Sequence, residues 1–126
     1  MSLDMSGKTK LPVAIIRPRI AFGPAFAIGP GKIDLLRAVA ASGSISGAAR
    51  SLGMTYKRAW FLIATMNQGF ACPVVERSIG GRGGGGAKLT SLGEVLLRHY
   101  DDIERACQEA AASSLARLDA LLLAKD

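Results

Sequence analysis

Apolar residues recur at helical spacing in three successive stretches between residues 32 and 70, and glycines separate them. Ile33, Leu36, Val39 and Ala40 share one face of a first helix, while Lys32, Asp34 and Arg37 fall on other faces; Gly43 supplies its C-terminal cap. Ser44 caps a second helix, Ile45 to Leu52, whose Ala48 and Ala49 are small enough to let another helix approach, and Gly53 closes it. Thr55 caps a third that runs to about Phe70. Its core stripe is Tyr56, Ala59, Ile63, Met66 and Phe70, and its opposite face centres on Lys57, Phe61, Ala64 and Gln68.

Only Gly53 and Met54 separate the second helix from the third, so the two must cross steeply, as in a helix-turn-helix. Upstream, residues 1–12 lack hydrophobic period and read as a flexible leader. Val13 to Phe22 alternates loosely around Pro18 and reads as an edge strand, and Gly23 to Gly31, with its two Gly-Pro pairs, as a turn-rich connector. Downstream, Val74 to Ile79 and Ala87 to Thr90 read as two short strands around the glycine tract Gly80 to Gly86, which makes a wing. Ser91 and Glu94 have the spacing of a capping box that opens a fourth helix. Leu96, Tyr100, Ile103, Cys107 and Ala110 follow at steps of four and three, the spacing of a two-helix seam. The seam falters at Ser113 and Ser114 and resumes with Leu115, Leu118 and Leu122 in a shifted phase, so the tail reads as a broken helix or a separate short one. The expected class is mainly α with a small β-wing. A winged helix-turn-helix over 13–90 is followed by a helical dimerisation segment over 91–126.

Composition narrows this picture. The 126 residues, 49% of them hydrophobic, suit one domain with a single core. Cys72 and Cys107 have no close partner, which fits neither a disulfide framework nor a zinc cluster and favours a reducing compartment. The apolar run Leu11 to Ile16 is too short for a signal-peptide core, and Ala59 to Met66 is far short of the roughly 20 residues that span a bilayer. The expectation is a cytoplasmic protein without a membrane partner. Residues 1–90 carry 12 Lys and Arg against 3 Asp and Glu, whereas residues 91–126 carry 4 against 7. A basic front and an acidic tail point to a polyanion partner for the front, although a basic surface also serves solubility.

Several runs now resemble one family in order and spacing. Gly43-Ser44-Ile45-Ser46, Ala48-Ala49-Arg50, Met54-Thr55-Tyr56-Lys57-Arg58-Ala59-Trp60 and Met66-Asn67 look like the helix-turn-helix of ModE-type molybdate-responsive regulators. Val74-Val75-Glu76-Arg77, Gly80 to Ala87, Leu89-Thr90 and Gly93 resemble that family's wing, and a wider similarity to LysR-type DNA-binding domains follows. The resemblance covers about residues 19–104. It implies a homodimer on double-stranded operator DNA, paired through the long C-terminal helix. Family members carry molybdate-binding domains after this module. Only 36 residues follow Thr90, and they read as helix, so molybdate binding is not expected of this chain alone. Phe61 stands where the resemblance implies an acidic residue.

In that frame the third helix is the expected reader of the major groove. Lys57 and Arg58 can donate to guanine edges or phosphates, Thr55 can donate to phosphate or contact a thymine methyl, and Ser44 and Ser46 at the start of the second helix join them at the DNA. Outside this context a Lys-Arg pair is a solvated helix face. Tyr56 reads mainly as packing and Trp60 as half core, half DNA edge. Phe61 fits either a thymine methyl or a neighbouring element. Arg82 and Lys88 supply charge to the wing. The glycine tract is no Walker loop, because Lys88 lies between Ala87 and Leu89. His99 stands alone, Asp101, Asp102 and Glu104 point in different directions on a helix, and Cys107 reads as a packing residue. No enzyme, cofactor or metal is expected. A protein-interaction adaptor on the same fold is the alternative.

Overall fold

The computed structural model describes Ser2–Leu3, Thr9–Lys10, residues 14–79 and residues 85–122. In chain order the elements are β1 (Ser2–Leu3), β2 (Thr9–Lys10), β3 (Ile20–Ala21), β4 (Ala27–Ile28), α1 (Pro30–Ser42), α2 (Ile45–Ser51), α3 (Tyr56–Gly69), β5 (Val75–Ser78), β6 (Gly86–Leu89), α4 (Ser91–Ala110) and α5 (Ala112–Asp119). The strands form three separate antiparallel pairs, β1 with β2, β3 with β4 and β5 with β6. Two compact units divide the chain: Pro18–Asp102, and Met1–Arg17 with Ile103–Asp126.

The first unit is built around the three helices that the periodicity predicts. Ile33, Leu35, Leu36 and Val39 of α1 pack with Ala48 and Ala49 of α2 and Ala59, Ile63 and Met66 of α3, all buried. Each fully buried Leu, Ile or Met contributes about 1.5–3 kcal/mol relative to exposure. Ala40, expected on this face, is exposed and Leu35 replaces it, because α1 is covered on more than one side. The chain reverses between helices at two glycines in the left-handed region, Gly43 (φ 76°) and Gly53 (φ 68°), where a side chain would be strained. Ser44 Oγ accepts from Gly47 N at 2.9 Å and Thr55 Oγ1 from Arg58 N at 3.1 Å, so both expected caps form.

The wing pairs Val75 with Leu89 and Ser78 with Gly86. One backbone bond and one side chain tie it to the helices, and a further backbone bond extends the wing's own ladder. Ala87 N donates to Gly43 O at 2.9 Å, and Thr90 N to Val74 O at 3.0 Å. The Asn67 side chain accepts from Val74 N (2.8 Å) and Val75 N (3.2 Å) and donates to Val75 O (3.2 Å). Tyr100 of α4 closes the core, its ring buried and its hydroxyl donating to Pro18 O at 2.7 Å.

Four expectations need correction. The edge strand shrinks to Ile20–Ala21, and its partner Ala27–Ile28 lies inside the segment expected to be only a connector. Pro18 carries no N–H for a ladder, and Gly23-Pro24 turns the chain at once into a tight hairpin. Tyr56 leaves the core stripe and is 54% exposed; Met54, from the turn, packs against the core at that end. The cap of α4 is Thr90, not Ser91: Thr90 Oγ1 accepts from Gly93 N at 3.1 Å while donating to Pro73 O at 2.7 Å. In the leader, Ser2 pairs with Lys10 and Leu3 with Thr9, a short ladder where no regular structure was expected.

In the second unit the Gln108 amide grips an extended segment from both sides. It accepts from Ile16 N at 2.9 Å and donates to Ala14 O at 3.0 Å, as a neighbouring strand would. The helix breaks at Ala111, two residues before the serines, and α5 follows.

Candidate nucleic-acid interface

Helix α3 turns roughly 100° per residue, so its side chains fall into three sectors around the buried line of Ala59, Ile63 and Met66. Lys57, Phe61 and Gln68 point directly away from the core and are exposed, Phe61 at 55%. Arg58 and Leu62 occupy one flank. Tyr56, Trp60 and Asn67 occupy the other, where Asn67 meets the start of the wing; Trp60 is 54% exposed, more than the mixed burial expected of it.

Thr55 and Ser44 use their oxygens as caps, which leaves each hydroxyl proton available to an outside acceptor; Ser46 is exposed. None of α1, α2 and α3 has an acid in its first turn, whereas α4 has Glu94. Those three N-termini therefore have no first-turn carboxylate to offset their partial positive charge. Lys57 and Arg58 have no carboxylate partner among the described residues. Lys88 sits opposite Glu76 in the wing ladder, with its ammonium 3.8 Å from the carboxylate, so part of its field is answered locally. Arg82 lies outside the described residues.

Two cations that sequence reasoning passed over stand beside Arg58. Arg19, next to β3, and Lys32, in the first turn of α1, line one open groove of about 620 Å³ together with Arg58 and Leu62. Lys32 Nζ donates to Ala27 O at 2.8 Å and lies 4.9 Å from the Phe26 ring centroid, and Phe26 stacks with Phe22 and meets Phe70 edge to face. Burial, and then the positive charge of Arg19, holds the Lys32 ammonium below its ordinary pKa. The signal in the sequence was a basic residue at a helix N-terminus, where acids are the rule.

The expected dimer seam divides. Leu96 packs, partly buried, against the core of the first unit, and Tyr100 is buried in it. In the second unit Ile103, Ala110, Leu118 and Leu122 are exposed, and Cys107 and Leu115 half-buried.

Three helices, with α2 and α3 joined by a short turn at Gly53, and a two-stranded wing define a winged helix-turn-helix protein. Residues 31–94 match the bacterial regulatory helix-turn-helix proteins of the lysR family, and the chain belongs to that family. It is 46% identical over 94 residues to the DNA-binding transcriptional dual regulator ModE of Escherichia coli K12, covering 75% of this chain and 36% of that protein. Molybdenum-pterin-binding protein MopA of Rhodobacter capsulatus is 42% identical over 83 residues, 66% of this chain and 31% of its own length. The chain thus spans about a third of the length of these relatives. Among solved structures it superposes on the CbnR DNA-binding domain, crystallised as a DNA complex, with a TM-score of 0.55 at 22% identity; 70% of this chain and 95% of that one are covered. Full-length LysG of Corynebacterium glutamicum gives a TM-score of 0.54 at 23% identity over 76% of this chain and 31% of that one. These two likenesses are of fold. No helix among the described residues is long and apolar enough to cross a membrane.

Proposed function

We propose that the chain is a sequence-specific DNA-binding transcriptional regulator that acts as a homodimer on double-stranded operator DNA. The observation that carries this reading is the exposed start of α3. Lys57 and Arg58, just after the Thr55 cap, have no carboxylate partner among the described residues and lie on a helix whose opposite side is locked into the core. The names of the ModE relatives, which are transcriptional regulators, support it. Lys57 and Phe61 face base edges, the hydroxyls of Ser44, Ser46 and Thr55 face phosphates, and the wing, with Arg82 and Lys88, follows the flanking backbone.

Selection from a randomised duplex library tests the reading. Two half-sites about one helical turn apart, roughly 34 Å, are expected, with binding that weakens steeply as salt rises. No enrichment from the library, together with salt-insensitive retention, would remove it. Tyr56, Trp60 and Phe61, each more than half exposed on one helix, are also what an adaptor would offer a protein partner; salt-insensitive binding would select that reading instead.

The dimer is proposed to form through Ile103, Cys107, Ala110, Leu115, Leu118 and Leu122. Ile103→Asp places a charge on that line and is expected to halve the mass measured by light scattering. An unchanged mass would exclude the seam.

A further inference from the structure

The groove lined by Arg19, Lys32 and Arg58 has a composition that its own chain does not neutralise. Its other lining residues include Gly23, Pro24, Ala25, Gly29, Pro30 and Gly31, and no carboxylate is among them. Arg19 and Arg58 have no acidic partner among the described residues. Lys32 is held in place by one of its three N–H donors, to Ala27 O, and by the Phe26 ring, so two donors remain. Like charges gathered this closely repel, and burial and Arg19 already press the Lys32 ammonium toward its neutral form. The small residues leave the backbone open to a bulky tetrahedral group.

We propose that this groove is an oxyanion site that receives a backbone phosphate of the DNA bound by α3, with Arg19, Lys32 and Arg58 as its donors. The placement of Arg58 selects the source of the phosphate. Arg58 lies on the flank of α3, about 100° round from Lys57, on the side of the β3–β4 hairpin. A helix lying in a major groove about 12 Å wide turns its outer face to the bases and its flanks to the two phosphate rails. Arg58 therefore contacts phosphate, and base reading falls to Lys57 and Phe61. The hairpin before α1, which a bare three-helix motif lacks, extends the footprint by bringing Arg19 to the same rail. The inference rests on the DNA-binding reading above.

The test compares the full chain with Arg19→Gln, Arg58→Gln and, as a charge control away from the groove, Arg98→Gln. Binding to a labelled 30-bp duplex carrying the selected operator, and to one of random sequence, is followed by anisotropy across a salt series. Amide spectra are recorded separately during titration with inorganic phosphate alone. Arg19→Gln and Arg58→Gln are each expected to reduce the salt slope by about one and to weaken selected and random duplexes by the same factor, while Arg98→Gln leaves the slope unchanged. Phosphate alone is expected to shift the Gly31 and Lys32 amides saturably, and less so in Arg19→Gln. An unchanged slope in Arg19→Gln, in a chain that still binds DNA, overturns the proposal and leaves the regulator reading standing. Saturable phosphate shifts in a chain that binds no duplex would instead keep the oxyanion site, with free oxyanion as its source, and remove the regulator reading. Neither response would remove both.

Discussion

Asn67→Ala is expected to lower the melting temperature by about 10 °C, which corresponds to roughly 2 kcal/mol in a domain of this size. The Asn67 amide satisfies Val74 N, Val75 N and Val75 O, and both valines are buried, so truncation leaves donors that water reaches poorly. An unsatisfied buried donor costs about 1–3 kcal/mol, reduced here because Asn67 itself is only partly buried. Asn67→Asp keeps the oxygen that accepts from Val74 N and Val75 N but sets an anionic oxygen against the Val75 carbonyl, and a smaller loss is expected. The damage should be local. Hydrogen exchange should accelerate in β5 and β6 while the amides of α1 remain protected, because the backbone tie from the wing to the helices, Ala87 N to Gly43 O, is a single bond. A melting temperature within a degree of the parent would show that the clamp does not hold the wing.

Lys57→Ala is expected to weaken binding to the selected operator by about 1–3 kcal/mol, roughly 5- to 150-fold, and to relax the preference at one base position in each half-site. Lys57 lies on the outward line of α3 with Phe61 and Gln68, exposed and without a carboxylate partner among the described residues. On random DNA the same ammonium has only phosphates to meet, so removing a base-reading donor weakens the operator complex more than the random one. Competition between operator and random duplex measures the difference. Equal weakening on both would assign Lys57 to the backbone and leave Phe61 as the remaining candidate reader. The contrast with Arg58→Gln, expected to weaken both equally, separates the two neighbouring cations by direction alone.

The positions that the structure reassigns share a cause. Tyr56 falls within about 60° of Ala59 on the helical wheel, and periodicity counts it as core. It begins α3, however, where the tight turn brings Met54 to the core instead. Leu96 and Tyr100 repeat with Ile103 and Cys107 at steps that suit a seam between two chains. The same steps describe any amphipathic helix, and α4 spends its first turns on the core of its own chain. A helical period reports that one face avoids water; it does not name the surface that covers the face.

The sequence by itself determined the helix limits near Gly43, Gly53 and Thr55, the caps at Ser44 and Thr55 and the two-residue turn, because these depend on φ preferences and hydrogen bonds that span at most four residues; it also showed the wing, because a β-branched run followed by a glycine tract admits a local hairpin and no helix. Lys57 and Phe61 on the outer face of α3 follow from the same local rule. Only the tertiary structure decided which apolar residues of α4 the core would take, and that Arg19 and Lys32 would join Arg58 in one groove. Those outcomes depend on where the hairpin turned at Gly23-Pro24 carries the chain, and burial and repulsion between charges act through space between residues far apart in sequence.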